Sequence, residues 1–273
     1  MRLSISNIAW ELAAEDAVAA ILREHGVQLV DIAPGKYFSN PEEVSSAEIE
    51  AVRRLWSDRG FRIEGMQALL FGTAGLNMFA DGDGAMFRRL AAVIRLGGRL
   101  GARALTFGSP RQRDRTKLPD DAVSRIALDF FRRLGDVAVE ADVLFCLEPN
   151  PEMYACNFMT TTAEAASVVE LIDHPGVRLQ IDLGAMTINR EPVAETIERY
   201  GSLAGHVHAS EPKLAVLSDH STHDAAAAAL SRIRPDLAVT IEMTTSSAES
   251  ALDSVKTALL LAQTTYGLNR SAQ

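Results

Sequence analysis

Short β-prone runs alternate along this chain with stretches of helical periodicity, and that alternation constrains the fold more than any single motif. The runs are RLSISNIAW (2–10), QLVDIAP (28–34), FRIEGMQALL (61–70), ARALTFGSP (102–110), VLFCLEPN (143–150), VRLQIDLGA (177–185), LAGHVHASEP (203–212) and LAVTIEM (237–243). Between them, stretches such as FRRLAAVIRLGGRLG, DDAVSRIALDFFRRLGDVAVEA and SSAESALDSVKTALLLAQ place apolar residues three and four apart. Gly26, Gly60 and Gly101 stand where helices should stop, and Ser246 with Glu249 reads as a capping box. Eight strands alternating with eight helical segments imply a parallel sheet, because each crossover helix returns the chain to the same sheet end. With 273 residues, the pattern matches a closed (β/α)8 barrel, which takes about 250. An open doubly wound sheet more often shows G-x-G-x-x-G in its first turn, which here reads AWELAAED. The expected architecture is a single (β/α)8 TIM-barrel domain over 1–273, with a short polar tail from about 266.

Charge and composition remove several function classes. The net charge of −9 opposes a phosphate backbone, so nucleic acid is not an expected partner. Two cysteines, Cys146 and Cys156, are too few for a disulfide framework and suit a reducing compartment. The start MRLSISNIAWELAAED lacks the apolar core of a signal peptide, and no apolar run is long enough for a membrane span. The expectation is a cytoplasmic protein with no membrane association.

The chemistry gathers at the strand ends of the second half. The segment GHVHASEP puts His206 and His208 on one face of a strand, with Val207 on the other. The fifth run ends on Glu148, the sixth carries Asp182, and the eighth carries Glu242. Each has a same-face neighbour two residues earlier: Cys146, Gln180, His206 and Thr240. In a barrel, four such groups on consecutive strands converge at the mouth built by the strand C-termini. Three carboxylates buried together demand neutralisation, and the strand ends supply little basic charge. One divalent ion answers the demand. The oxygen-rich set with one imidazole favours Mn²⁺; Mg²⁺ and Co²⁺ also suit it, and Zn²⁺ suits it less.

The order of strand-five Glu, strand-six Asp, strand-seven H-x-H-x-x-E and strand-eight I-E-M resembles the xylose-isomerase-like barrel superfamily. SISNIAW, LEPNP and GHVHASEP look like its sugar isomerase and epimerase branch, which includes ketose 3-epimerases, hydroxypyruvate isomerases and inosose dehydratases. The resemblance spans nearly the whole chain. It implies Glu148, Asp182, His208 and Glu242 as metal ligands, with His206 one layer deeper. It also implies Glu148 and Glu242 as the pair that removes and returns a proton, through an enediolate, beside the carbonyl of a small polyhydroxylated substrate. Return to the same carbon is epimerisation, return to the neighbouring carbon is isomerisation, and loss of a β-hydroxyl is dehydration. An endonuclease-type phosphodiesterase and a non-catalytic metal-binding barrel are the remaining alternatives, and a homodimer is an open assembly. Three departures stand out. Ala185, Leu214 and Tyr154 occupy positions where ketohexose 3-epimerases typically carry His, Arg and Glu, whereas Glu211 matches. A free ketohexose is therefore disfavoured as substrate.

Further candidates for substrate contact are Glu211, Lys213 and His223 after the seventh strand, and Asn7, Trp10 and Gln67 near the ends of the first and third. Tyr154, with Asn157, belongs to the loop after the fifth. The basic run SPRQRDRTK, with Arg111, Arg113, Arg115 and Lys117, reads either as a solvated loop or as a clamp for a phosphate or carboxylate.

Overall fold

The computed structural model describes residues 1–245 and 247–267, with backbone alone at 248 and 249. Eight parallel strands close on themselves in sequence order, so that β8 pairs with β1. They are β1 (Arg2–Ser6), β2 (Leu29–Ile32), β3 (Arg62–Met66), β4 (Ala104–Phe107), β5 (Leu144–Leu147), β6 (Val177–Asp182), β7 (Ala204–Ser210) and β8 (Ala238–Glu242). Around them run α1 (Glu15–Glu24), α2 (Ser46–Ser57), α3 (Ala85–Leu100), α4 (Asp120–Glu140), α5 (Thr162–Ile172), α6 (Leu183–Asn189), α7 (Val193–Tyr200), α8 (His220–Ile233) and α9 (Ala248–Tyr266). The protein is a single (β/α)8 TIM barrel. The β6–β7 connection holds two helices, α6 and α7, where the sequence pattern implied one per unit; EP at 191–192 separates them, with Pro192 N-capping α7.

Alternation along each strand divides the core in two. Phe107 on β4 and Phe145 on β5 point outward, stack at 5.5 Å, and meet Phe131 of α4. Their inward neighbours Thr106 and Cys146 are Cα partners in the β4–β5 register. Helix faces complete the outer core: α3 buries Leu90, Val93, Ile94, Leu96 and Leu100 at the expected spacing. Each such side chain taken from water contributes about 1.5–3 kcal/mol. Gly26, Gly60 and Gly101 all have positive φ, as helix stops require. The capping box of α9 differs from expectation: it is formed by Ser247 and Ser250, one residue later. Ser246 lies outside the described residues, as do 268–273 of the expected tail; α9 continues to Tyr266.

Inside the barrel the layer below the mouth is polar rather than aliphatic. Ser4, Asp31, Thr106, Gln180, His206 and Thr240 are all buried there. Among the described residues no helix is long and apolar enough to cross a membrane.

Candidate functional site

The strand register delivers the four sequence-selected groups to one place. Asp182 is the Cα partner of His208, and Ser210 that of Glu242. Glu148 immediately follows β5, with its amide bonded to Phe107 O on β4. Glu148, Asp182, His208 and Glu242 each offer a ligand atom within 4.8 Å of the others. His208 Nδ1 lies 3.4 Å from Glu148 Oε1, 3.3 Å from Glu242 Oε2 and 3.8 Å from Asp182 Oδ2. Neither ring nitrogen of this fully buried imidazole has a hydrogen-bond partner. Two ligands about 2.1 Å from a common divalent ion lie about 3.0–3.4 Å apart across an octahedral or tetrahedral edge. The separations at Glu148 and Glu242 fit such an edge, so an ion of this kind suits the donor set.

The surroundings differ from ligand to ligand. Asp182 is held at both oxygens: Oδ1 accepts the Ala185 amide at 2.6 Å and Oδ2 accepts Ser210 Oγ at 2.9 Å. Burial, then the charges of Glu148 and Glu242, push its carboxyl up to about 8. Burial acts to lower the basicity of His208, but Glu242 and Glu148 outweigh it and hold the imidazole well above its usual value. Burial likewise acts to raise Glu148, and His208 and Asn150 turn the balance downward. Asn150 Nδ2 donates to Glu148 Oε2 at 3.0 Å. Gly108 leaves the space this carboxylate fills, since a Cβ there would stand 2.3 Å from Oε2.

His206 lies one layer deeper and points away from the mouth. Its Nε2 is 3.0 Å from Asp31 Oδ2, and its Nδ1 is 3.2 Å from Gln180 Oε1. Ser4 Oγ and Thr240 Oγ1 donate to Asp31 Oδ1 at 2.8 and 3.1 Å. Asp31 is completely buried, and burial acts to raise its carboxyl, yet the His206 charge keeps it below the ordinary value. Gly65 permits this placement, because a Cβ there would meet Asp31 Oδ2 at 2.3 Å. Sequence reasoning passed over Asp31. The available signal was a lone acidic residue inside the apolar run QLVDIAP.

Two cavities open beside the cluster, of about 570 and 450 Å³, and Glu148, Glu242 and Leu214 line both. The larger includes Gln67, Lys36 and the exposed Phe71; the smaller includes Tyr154, Glu211, Lys213 and Ala185. Gln67 Nε2 donates to Ser6 Oγ. The Glu211 carboxylate, although at the cavity, is taken up by Ser218 and by the Asp219 amide. Tyr154 Oη accepts the Lys213 amide at 3.0 Å, anchoring a turn in which Lys213 and Leu214 both adopt left-handed backbone.

Three candidates fall behind the cavity wall rather than on it. Asn7 binds Tyr37 Oη and the Ala33 amide, tying β1 to β2. Trp10 is a core residue whose carbonyl accepts from Lys36 Nζ. His223 is buried with Nδ1 2.6 Å from Tyr266 Oη. The basic loop after β4 is split: Arg111 is exposed, Arg115 pairs with Asp120, and Arg113 turns inward with no exposed surface. Arg113 therefore belongs neither to a solvated loop nor to a clamp facing the cleft. Asn157 binds Asp114 and Thr116 of that loop and does not face the cavities.

Comparison with known proteins bears on the fold and the family. No curated protein matches the chain in sequence. Among solved structures, it is similar to a D-psicose 3-epimerase from Clostridium cellulolyticum H10 with D-tagatose, at TM-score 0.78 and 19% identity over 98% of this chain and 100% of that one. A second D-psicose 3-epimerase, in the presence of D-fructose, aligns at TM-score 0.77 and 15% identity over 98% and 100%. A 3-keto-D-glucoside 4-epimerase from E. coli aligns at 0.71 and 16% over 93% and 97%. At such identities the likeness concerns the fold. Residues 19–254 match the model of the xylose isomerase-like TIM barrel, and the chain belongs to that family.

Proposed function

We propose that the protein is a divalent-metal-dependent isomerase or epimerase acting on a small polyhydroxylated carbonyl compound, such as a sugar or sugar phosphate. One observation carries this reading: Glu148 and Glu242, from β5 and β8, share the ligand cluster and also line both cavities. A purely structural ion has no need of carboxylates open to a cleft. Glu148, Asp182, His208 and Glu242 hold the ion in this reading, with Mn²⁺ favoured for the oxygen-rich set. The bound ion supplies positive charge for the oxyanion that develops when a C–H beside the carbonyl is broken.

The chain's own groups then divide the work. Asp182, fixed at both oxygens by Ala185 N–H and Ser210, serves as a ligand only. Glu148 and Glu242 are the carboxylates that exchange a proton with the substrate, one removing it and the other returning it through an enediolate. Replacement of the sugar-reading His, Arg and Glu by Ala185, Leu214 and Tyr154, all at the smaller cavity, points away from a free ketohexose. Of the substrate-contact candidates, Gln67 and Lys213 are the ones that keep polar groups at the cavities to meet substrate hydroxyls. The test is metal analysis of the purified protein, followed by NMR of Mn²⁺-loaded enzyme with ketoses, sugar phosphates and inososes. The reading expects about one ion per chain and turnover of at least one class; a protein that takes up no divalent ion contradicts it.

A further inference from the structure

Arg113 is the one Lys or Arg side chain wholly buried among the described residues, and it has no carboxylate in direct contact. Its donors go to neutral acceptors instead: Nη1 to Glu148 O at 2.7 Å, Nη2 to Asn150 Oδ1 at 2.8 Å and Nε to Cys156 Sγ at 3.2 Å. Burying a guanidinium this way is costly, so what it organises matters. Guanidinium can only donate, and an amide has an accepting end and a donating end. With Oδ1 of Asn150 turned to Arg113, Nδ2 has to face the other way, where it meets Glu148 Oε2 at 3.0 Å. Gly108, having no Cβ, leaves the room that this oxygen occupies. Oε2 is therefore fixed by a chain of two polar contacts, and Oε1 is left towards His208 Nδ1 at 3.4 Å.

We propose that Arg113 and Asn150 are positioning residues that orient the Glu148 carboxylate for metal binding, Arg113 acting through the Asn150 amide. The proposal rests on the reading of Glu148 as a ligand. The test is Mn²⁺ titration calorimetry on metal-stripped wild type, Asn150→Ala, Arg113→Lys, the double variant and a His208→Ala control, with melting of each metal-free protein alongside. Loss of a group that orients a ligand typically lowers metal affinity about 10–100-fold. Asn150→Ala is expected to do so while the protein stays folded, with some fall in metal-free melting as well, because the buried Arg113 Nη2 loses its acceptor. Arg113→Lys, unable to fill all three contacts, should weaken Mn²⁺ similarly, and the double variant should be no weaker than the poorer single one. Wild-type affinity in Asn150→Ala, with binding lost in His208→Ala, overturns the positioning role alone. Additive losses overturn the coupling through Asn150. No Mn²⁺ binding by wild type overturns the ligand reading itself.

Discussion

Gly108→Ala separates the candidate site from the stability of the barrel. A Cβ at this position would stand 2.3 Å from Glu148 Oε2 and 3.4 Å from Asn150 Oδ1. Gly108 lacks the positive φ that would itself penalise alanine. Relief comes from swinging the carboxylate away: restoring ordinary contact at 3.4 Å requires Oε2 to retreat by about 1.1 Å. The obstructing atom ends a flexible side chain, so the stability cost should be small, within about 1 kcal/mol. The functional cost should be large, because a misplacement of about 1 Å at a reacting group costs on the order of 10²-fold in rate. The displacement also breaks the 3.0 Å contact with Asn150. Calorimetry of the metal-stripped variant and turnover at saturating Mn²⁺ should show both losses, with melting of the metal-free protein nearly unchanged. Wild-type affinity and turnover would mean that the orientation of Glu148 does not matter.

Exchanging the two histidines should separate their roles. His208→Ala should lose the ion, whereas His206→Ala should retain it but destabilise the fold by about 3–5 kcal/mol, because it leaves Asp31 buried without its charge partner; thermal melts with metal analysis decide. The metal-free protein should lose stability as pH rises from about 4 towards about 8. Asp182, raised from 3.8 to about 8, and His208, raised from 6.5, bind protons in the native state that the unfolded chain has released. A bound ion replaces those protons, so the melting difference between Mn²⁺-loaded and metal-free protein should widen between pH 6 and 8; a constant difference would contradict the assignment.

The barrel was legible because strand and helix periods alternate, and two-residue alternation placed His206 and His208 on a common inward face. The four strand-end groups converge for the same reason. The wall of the cleft was harder to read. Asn7 and Trp10 have the right types and the right strand end, but a turn just past β1 carries them behind the surface, where Asn7 accepts the Ala33 amide just past β2. His223 falls on the buried face of α8, a matter of helix phase that the polar stretch DHSTHDAA did not reveal. Arg113 shares its loop with exposed cations, and only the fold shows that it turns to the carbonyl of Glu148. Asp31 was visible as an isolated charge in an apolar strand, yet its partner lies 175 residues away on β7.

Solvent isotope exchange by wild type and Glu242→Gln tests the central claim most directly, with metal occupancy measured in each sample. The amide keeps one oxygen for the ion but is no base, so turnover should fall by at least the 10²–10⁴-fold, roughly 3–5 kcal/mol, that general acid–base groups typically contribute. Wild type turning over its substrate in D₂O should place deuterium on the carbon beside the carbonyl, and the variant should place almost none. Wild-type turnover without solvent deuterium, or an undiminished rate in a fully loaded Glu242→Gln protein, would contradict proton transfer by this carboxylate pair.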